Sequence, residues 1–293
     1  MYRTILAPLD GSPLAEFVLP YVEELNSRFG GKIILLRAYP TTEASQAGTH
    51  QAYVDGVAQA VRERLGAKAD VESVVVAGDP NREIVDYARK EEVSLIAAVA
   101  RGESGAGLWP VGSTADKVIR ETGKPVLVIR AAASKAVPEQ GILNRVLVPL
   151  DGSKLSEAIL PYVEGLIAGA SAKAKPKAEV TLFQVQEAAK YGLAEGGYKL
   201  PDVQALEASA RSYLDEMGAG LRAKGVAVES QVSTGIRSVD QEILEFAHSS
   251  NANLIAMSTH GRSGFSKIFL GSMADRVLHS GDVPLLLVKP AQA

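Results

Sequence analysis

Two stretches of the chain carry residue types whose spacing could hold a phosphate beside a polyol. The first is Ser258-Thr-His-Gly-Arg-Ser-Gly-Phe-Ser-Lys-Ile-Phe-Leu-Gly-Ser272, set between the apolar run 254–257 and the helical pattern 273–279. A glycine-bearing loop that runs from a strand to a helix N-terminus offers backbone N–H groups and the positive end of the helix dipole. The small residues Ser258, Gly261, Gly264 and Gly271 would let a ligand come close to the main chain. An ordinary loop with a serine cap has the same composition, so this stretch does not decide the matter alone. The second feature is Leu-Asp-Gly-Ser, which occurs at Asp10 and again at Asp151. A carboxylate at a strand end can accept hydrogen bonds from both hydroxyls of a ribose. Asp-Gly also closes common turns, and taken singly that plainer reading is favoured.

What must position these residues is visible as a repeat. Residues 5–25 return as 146–166 with 14 identities in 21 positions, at an offset of 141. Gly102 and Gly112-Ser113 correspond to Gly261 and Gly271-Ser272 at an offset of 159, so the second copy carries 18 extra residues. These fall near 169–177 and 186–199. Each copy alternates apolar strands with helical patterns. In the first, strands are expected at 4–9, 32–38, 71–77, 95–100 and 125–130, and helices at 14–29, 51–65, 81–90 and 113–121. Strands apolar on both faces and separated by helices imply a parallel sheet covered on both sides. The expected fold is α/β: two doubly wound domains, each with a five-stranded parallel sheet sandwiched by helices. Domain one is placed at 1–133, a linker at 134–143 and domain two at 144–293. Pro20 and Pro161 fall inside the first helix pattern of each copy, which predicts a kink or a late start. Ser238 with Gln241 three residues on predicts a capping box. In such a sheet the first and fourth strands are neighbours at the switch point. Asp151 and the 258–272 loop would then flank one cleft, a constellation more specific than either part.

Composition narrows the classes further. The chain has 293 residues, 46% of them hydrophobic, and a net charge of −3, which leaves no basic excess for binding nucleic acid. Cysteine is absent, so disulfide and thiolate chemistry are excluded. No apolar run approaches the ~20 residues of a membrane span, and the N-terminus enters a strand pattern directly; a soluble, cytoplasmic protein is expected. There is no G-x-x-x-x-G-K-[ST], no G-x-G-x-x-G after a first strand, and no G-x-S-x-G. His50, His248, His260 and His279 are scattered without metal-ligand spacing.

The Leu-Asp-Gly-Ser strand end, the Gly-x9-Gly-Ser loop and the terminal Pro-(apolar)-Leu-(apolar)-Val together resemble the universal stress protein family, once per copy. The resemblance covers nearly the whole chain and implies a tandem pair of Rossmann-like domains resembling the adenine nucleotide alpha hydrolases. The family's ATP pattern is Gly-x2-Gly-x9-Gly-(Ser/Thr). Gly261 and Gly271-Ser272 match it, with Ser258 in the first position. The resemblance thus implies ATP, with Mg or as another adenine nucleotide, as the ligand. Asp151 would meet the ribose; Gly261, Gly271 and Ser272 the phosphates; Val185 the adenine. Asp10, Gly102, Gly112 and Ser113 form a weaker counterpart, because Val99 replaces the small first residue and Glu103 sits in the loop. The family's function would be that of a nucleotide-binding sensor or regulator in stress response. A slow ATPase or adenylyl-transfer enzyme, and a nucleotide-free dimerisation module, stay open as alternatives. The terminal strands are expected to pair the two domains as an internal pseudo-dimer, and two chains could form a homodimer.

Overall fold

The computed structural model describes residues 2–90, 92–100, 113–130, 141–168, 178–186, 202–235, 237–260 and 270–290. The first half runs β1 (Thr4–Pro8), α1 (Leu19–Phe29), β2 (Lys32–Tyr39), α2 (Ala47–Leu65), β3 (Asp70–Ala77), α3 (Pro80–Lys90), β4 (Leu95–Ala100), α4 (Ser113–Glu121) and β5 (Val126–Arg130). The second runs β6 (Arg145–Pro149), α5 (Lys154–Glu157), α6 (Leu160–Ala168), β7 (Glu179–Val185), α7 (Val203–Ala223), β8 (Ala227–Ser233), α8 (Val239–Ser249), β9 (Leu254–Ser258), α9 (Ser272–Ser280) and β10 (Leu285–Val288).

The apolar runs make strands buried on both faces. The strands form one ten-stranded sheet, β3-β2-β1-β4-β5-β10-β9-β6-β7-β8. Within each half every pairing is parallel, and β1 lies against β4 as β6 lies against β9. The halves join where β5 and β10 pair antiparallel, with Leu286 opposite Leu127. Alternate side chains feed opposite layers. On one face Ile5, Ala7, Ile33 and Leu35 pack with Val22, Val54 and Val61 of α1 and α2, and the second half continues the layer through Val163 and Leu214. On the other face Leu6, Ile34 and Leu36 pack with α3 and α4, in one cluster that also takes in Ile243, Ala274 and Val277.

The prolines act as start signals. Pro20 stands in the first turn of α1, preceded by a 3₁₀ turn at Ala15–Val18; Pro161 likewise opens α6, after the separate short α5. Helix α2 starts four residues earlier than its apolar spacing indicates. The polar segment before it is a 3₁₀ turn, and His50, 8% exposed, stacks on Tyr39 with ring centroids 4.4 Å apart. The Ser238–Gln241 capping box forms, with Gln241 Oε1 accepting from the Ser238 N–H at 3.3 Å.

Contacts between the halves extend beyond the strand pair. Tyr2 is fully buried at a positive φ of 59°, a left-handed conformation costly for a non-glycine residue, and its hydroxyl donates to Tyr162 O at 2.9 Å. Ile142 and Leu143 are buried, and the Ile142 N–H donates to Glu24 of α1 at 3.0 Å. The C-terminal end of the stretch between the repeats is therefore packed core.

Candidate functional site

Where β6 ends, the chain turns at Asp151-Gly152, and Gly152 takes φ 84°, the left-handed geometry this turn requires. The Asp151 carboxylate accepts from the Ser153 N–H at 2.9 Å, which fixes the side chain in an Asx turn. Ser153 Oγ caps α5 by accepting from the Ser156 N–H at 3.1 Å. Ser156, itself buried, accepts from the Asp151 N–H at 3.3 Å and donates to Ser153 O at 2.8 Å. The acid thus sits on a turn whose local hydrogen bonds are closed.

Across the switch point β9 ends at Ser258, 5% exposed, whose Oγ accepts from the His260 N–H at 3.3 Å. Thr259 Oγ1 and His260 Nδ1 lie 2.9 Å apart. Helix α9 begins at Ser272 with Gly271 as its N-cap, and the Gly271 N–H donates to Thr259 O at 2.8 Å. A Cβ on Gly271 would stand 2.5 Å from that same carbonyl oxygen. Glycine is required here by this close approach, because φ is an ordinary −58°. The helix N-terminus is thereby held against the end of the neighbouring strand.

These parts enclose one cavity of about 330 Å³, within the range of small-molecule sites. Asp151 and Ser156 line it from the turn after β6, and Ser258, Gly271 and Ser272 from the end of β9 and the start of α9. Phe183, Val185, Ile243 and Met257 supply an apolar surface between them. The ladder alternation matters at Val185. The Leu150 N–H donates to Phe183 O, and the Gln186 N–H points the other way, to Ser233 O. The N–H and C=O of Val185 are therefore aimed at the β6 side, beyond the last β6–β7 ladder pair at Pro149–Phe183. Asp151, Val185, Ser258, Gly271 and Ser272 come together in this cavity. Gly261 and Gly264 lie outside the described residues.

The first half has a matching but smaller cavity, about 190 Å³, lined by Asp10, Ala38, Val99 and Thr114 at the positions of Asp151, Val185, Ser258 and Met273. There the Asp10 carboxylate takes both the Ser12 N–H at 2.9 Å and the Ser12 hydroxyl at 2.5 Å on one oxygen. Ala15 replaces Ser156, and Val99 puts two methyls where Ser258 has a hydroxyl. Ser113 begins α4, while Gly102 and Gly112 lie outside the described residues. Sequence reasoning passed over Ser156, Phe183, Ile243 and Met257. Only the Ala15/Ser156 difference between otherwise similar repeats carried a signal.

Two tyrosines, one in each half, repeat the same contact. Tyr53 donates to Glu16 at 2.9 Å and Tyr213 to Glu157 at 3.3 Å. Burial first, and then the facing carboxylate, push both phenols above their ordinary range. Among the described residues no group of three or more His, Cys, Asp or Glu could hold a metal ion, and no helix is long and apolar enough to cross a membrane.

Comparison with known proteins gives the family and the fold. The model of the universal stress protein family matches residues 1–130 and again 143–289. A universal stress protein of Mycobacterium tuberculosis is 29% identical over 241 residues, covering 80% of this chain and 75% of that one. Another, from Methanocaldococcus jannaschii, is 29% identical over 151 residues, 51% of this chain and 84% of that protein. The crystal structure of a universal stress protein from Archaeoglobus fulgidus superposes with a TM-score of 0.72 over 99% of this chain and 100% of that one, at 22% identity, a likeness of fold. With two consecutive matches and two doubly wound halves, the chain belongs to the universal stress protein family and carries its domain twice.

Proposed function

We propose that the C-terminal cavity binds an adenine nucleotide, with ATP as its ligand, and that the chain works as a nucleotide-dependent sensor or regulator in stress response. One observation carries this reading: Asp151, the strand end at Val185 and the N-terminus of α9 line the same cavity. The three parts suit three parts of one molecule. The Asp151 carboxylate would accept from the ribose hydroxyls. Gly271, with no side chain, leaves room at the helix start, where the backbone N–H groups of Ser272 and Met273 and the positive helix end would face the phosphates. The purine would lie on Phe183, Ile243 and Met257, with the Val185 N–H and C=O matching its edge of one acceptor and one donor. The N-terminal cavity, at about 190 Å³ and narrowed by Val99, is below the usual range for a ligand of this size. One nucleotide per chain is the expected stoichiometry.

Isothermal titration with ATP tests the reading. The parent protein should bind at one site per chain, and a Gly271→Trp variant should give no binding heat. An unliganded parent, or a variant that binds as the parent does, contradicts it.

A further inference from the structure

Helices α4 and α9, the last of each half, are held at their C-terminal ends by a cation from the opposite half. Arg130, the last residue of β5, reaches across the antiparallel seam to α9. Its Nη1 donates to His279 O at 2.5 Å and Gly281 O at 2.7 Å, with a longer approach to Leu278 O at 3.3 Å. Lys289, just past β10, makes the reciprocal reach and donates to Arg120 O of α4 at 2.8 Å. The last carbonyls of a helix have no intrahelical partner and mark the negative end of its dipole, so a cation there satisfies and stabilises them. The two clamps differ in what lies at the far end of the clamped helix. Helix α9 opens on the larger cavity through Gly271 and Ser272, and α4 opens on the smaller one.

We infer that Arg130 of the N-terminal half is a positioning residue for the ligand site of the C-terminal half, acting through α9. The inference rests on the nucleotide reading for its ligand, and on the structure alone for its mechanical part. Helix α9 has nine residues and spans roughly 13 Å at 1.5 Å per residue, so the clamp and the cavity are its two ends. Its N-terminus is pinned by the Gly271 N–H to Thr259 O bond, its flank by Ala274, Val277 and Leu278 in the shared apolar layer, and its C-terminus by Arg130. Release of the last contact frees the helix to slide or fray, and that misplaces the N–H groups at the other end. The guanidinium also lowers the cost of the helix dipole in the sense that favours an anion at the N-terminus. By reciprocity, an anion bound at Gly271 and Ser272 tightens the Arg130 clamp and hence the seam between the halves. The N-terminal half thus has a task that does not depend on its own cavity: it sets the affinity of its neighbour and feels its occupancy.

The test compares Arg130→Gln, Arg130→Lys and Lys289→Gln in the full chain. Two readings are taken: ATP affinity by titration, and amide hydrogen exchange along 271–281 without ligand. Arg130→Gln should weaken ATP about two- to fivefold, the size of a helix-terminal charge effect. It should also raise exchange in the first turn of α9 as well as the last. Arg130→Lys should recover most of both. Lys289→Gln removes the equivalent clamp from the same seam but leaves α9 held, so it should change neither. If Lys289→Gln weakens ATP as much as Arg130→Gln, the effect is general loosening of the seam, and the inference is overturned. It is overturned equally if Arg130→Gln alters exchange only at 278–281. A parent protein that binds no ATP removes the nucleotide reading, and the exchange data then decide the coupling without it.

Discussion

Replacing Gly271 with alanine adds one carbon, and the structure says what that carbon meets. Its position lies 2.5 Å from Thr259 O and 3.4 Å from the His260 Cα, both backbone atoms that cannot rotate aside. A carbon–oxygen contact needs nearly 1 Å more, so α9 must move away from β9. The 2.8 Å bond from the Gly271 N–H to Thr259 O is then stretched or lost. Overpacking of this kind costs about 1–3 kcal/mol, and the hydrogen bond accounts for about 1 kcal/mol of that. For a chain of 293 residues about 2 kcal/mol lowers the melting temperature by roughly 3 °C. ATP affinity should fall at least about tenfold, because the N–H groups that would face the phosphates shift with the helix. Gly56, exposed in the middle of α2 with nothing within 4 Å of its added Cβ, is the internal control. There alanine should stabilise by about 0.5–1 kcal/mol through helix propensity. Differential scanning calorimetry and titration on the two variants read both effects. If Gly271→Ala melts within about 1 °C of the parent and keeps its affinity (a threshold of roughly 0.6 kcal/mol), the close approach does not hold the site, and the reasoning is refuted.

Three further outcomes follow from the same geometry. Asp151→Ala should weaken ATP about tenfold or more, the loss of a charged hydrogen-bond partner. Asp10→Ala should leave the affinity unchanged, and equal effects of the two in titration would contradict the asymmetry of the halves. The outer strands β3 and β8 have their carbonyls covered by homologous arginines: Arg62 donates to Val71 O, and Arg222 to Val228 O at 3.3 Å. Removing both side chains as alanine should increase light scattering on storage by exposing sheet edges; an unchanged signal would show that these arginines do not protect them. Tyr2, Tyr21, Tyr53 and Tyr213 are all raised above the ordinary tyrosine value, with burial the first cause in each. Groups whose folded pKa is raised keep their stabilisation below the unfolded value near 10 and lose it as pH rises beyond. Ultraviolet titration should therefore show these four of the nine tyrosines ionising late, with stability falling above about pH 10; nine equivalent phenols would contradict the burial.

Much of this was readable before any coordinates, and the reason is local. Repeated Leu-Asp-Gly-Ser turns, apolar runs of strand length and prolines in the first helical turn act over a few residues. They locate the strands and helices, and the doubly wound pattern then sets the first strand beside the fourth, with Asp151 and the 258–272 loop flanking one cleft. What stayed hidden depends on residues far apart in the chain. Gly271 looked like a loop glycine; its need is set by Thr259 O, whose position follows from β9 meeting the sheet. Arg130 stands at the end of an expected strand, and only the antiparallel seam brings it to residues 278–281. His50 lay in a segment too polar to suggest burial, yet Tyr39 covers its ring. The sizes of the two cavities were equally out of reach, because they depend on how Val99 and Ser258 pack against elements from elsewhere.

A crystal structure of the protein saturated with ATP tests the central claim most directly. The account predicts one nucleotide per chain in the C-terminal half, its ribose hydroxyls on Asp151, its phosphates against Gly271 at the N–H groups of the first turn of α9 from Ser272 on, and the N-terminal cavity without one. A nucleotide bound elsewhere, or bound equally in both halves, would contradict it.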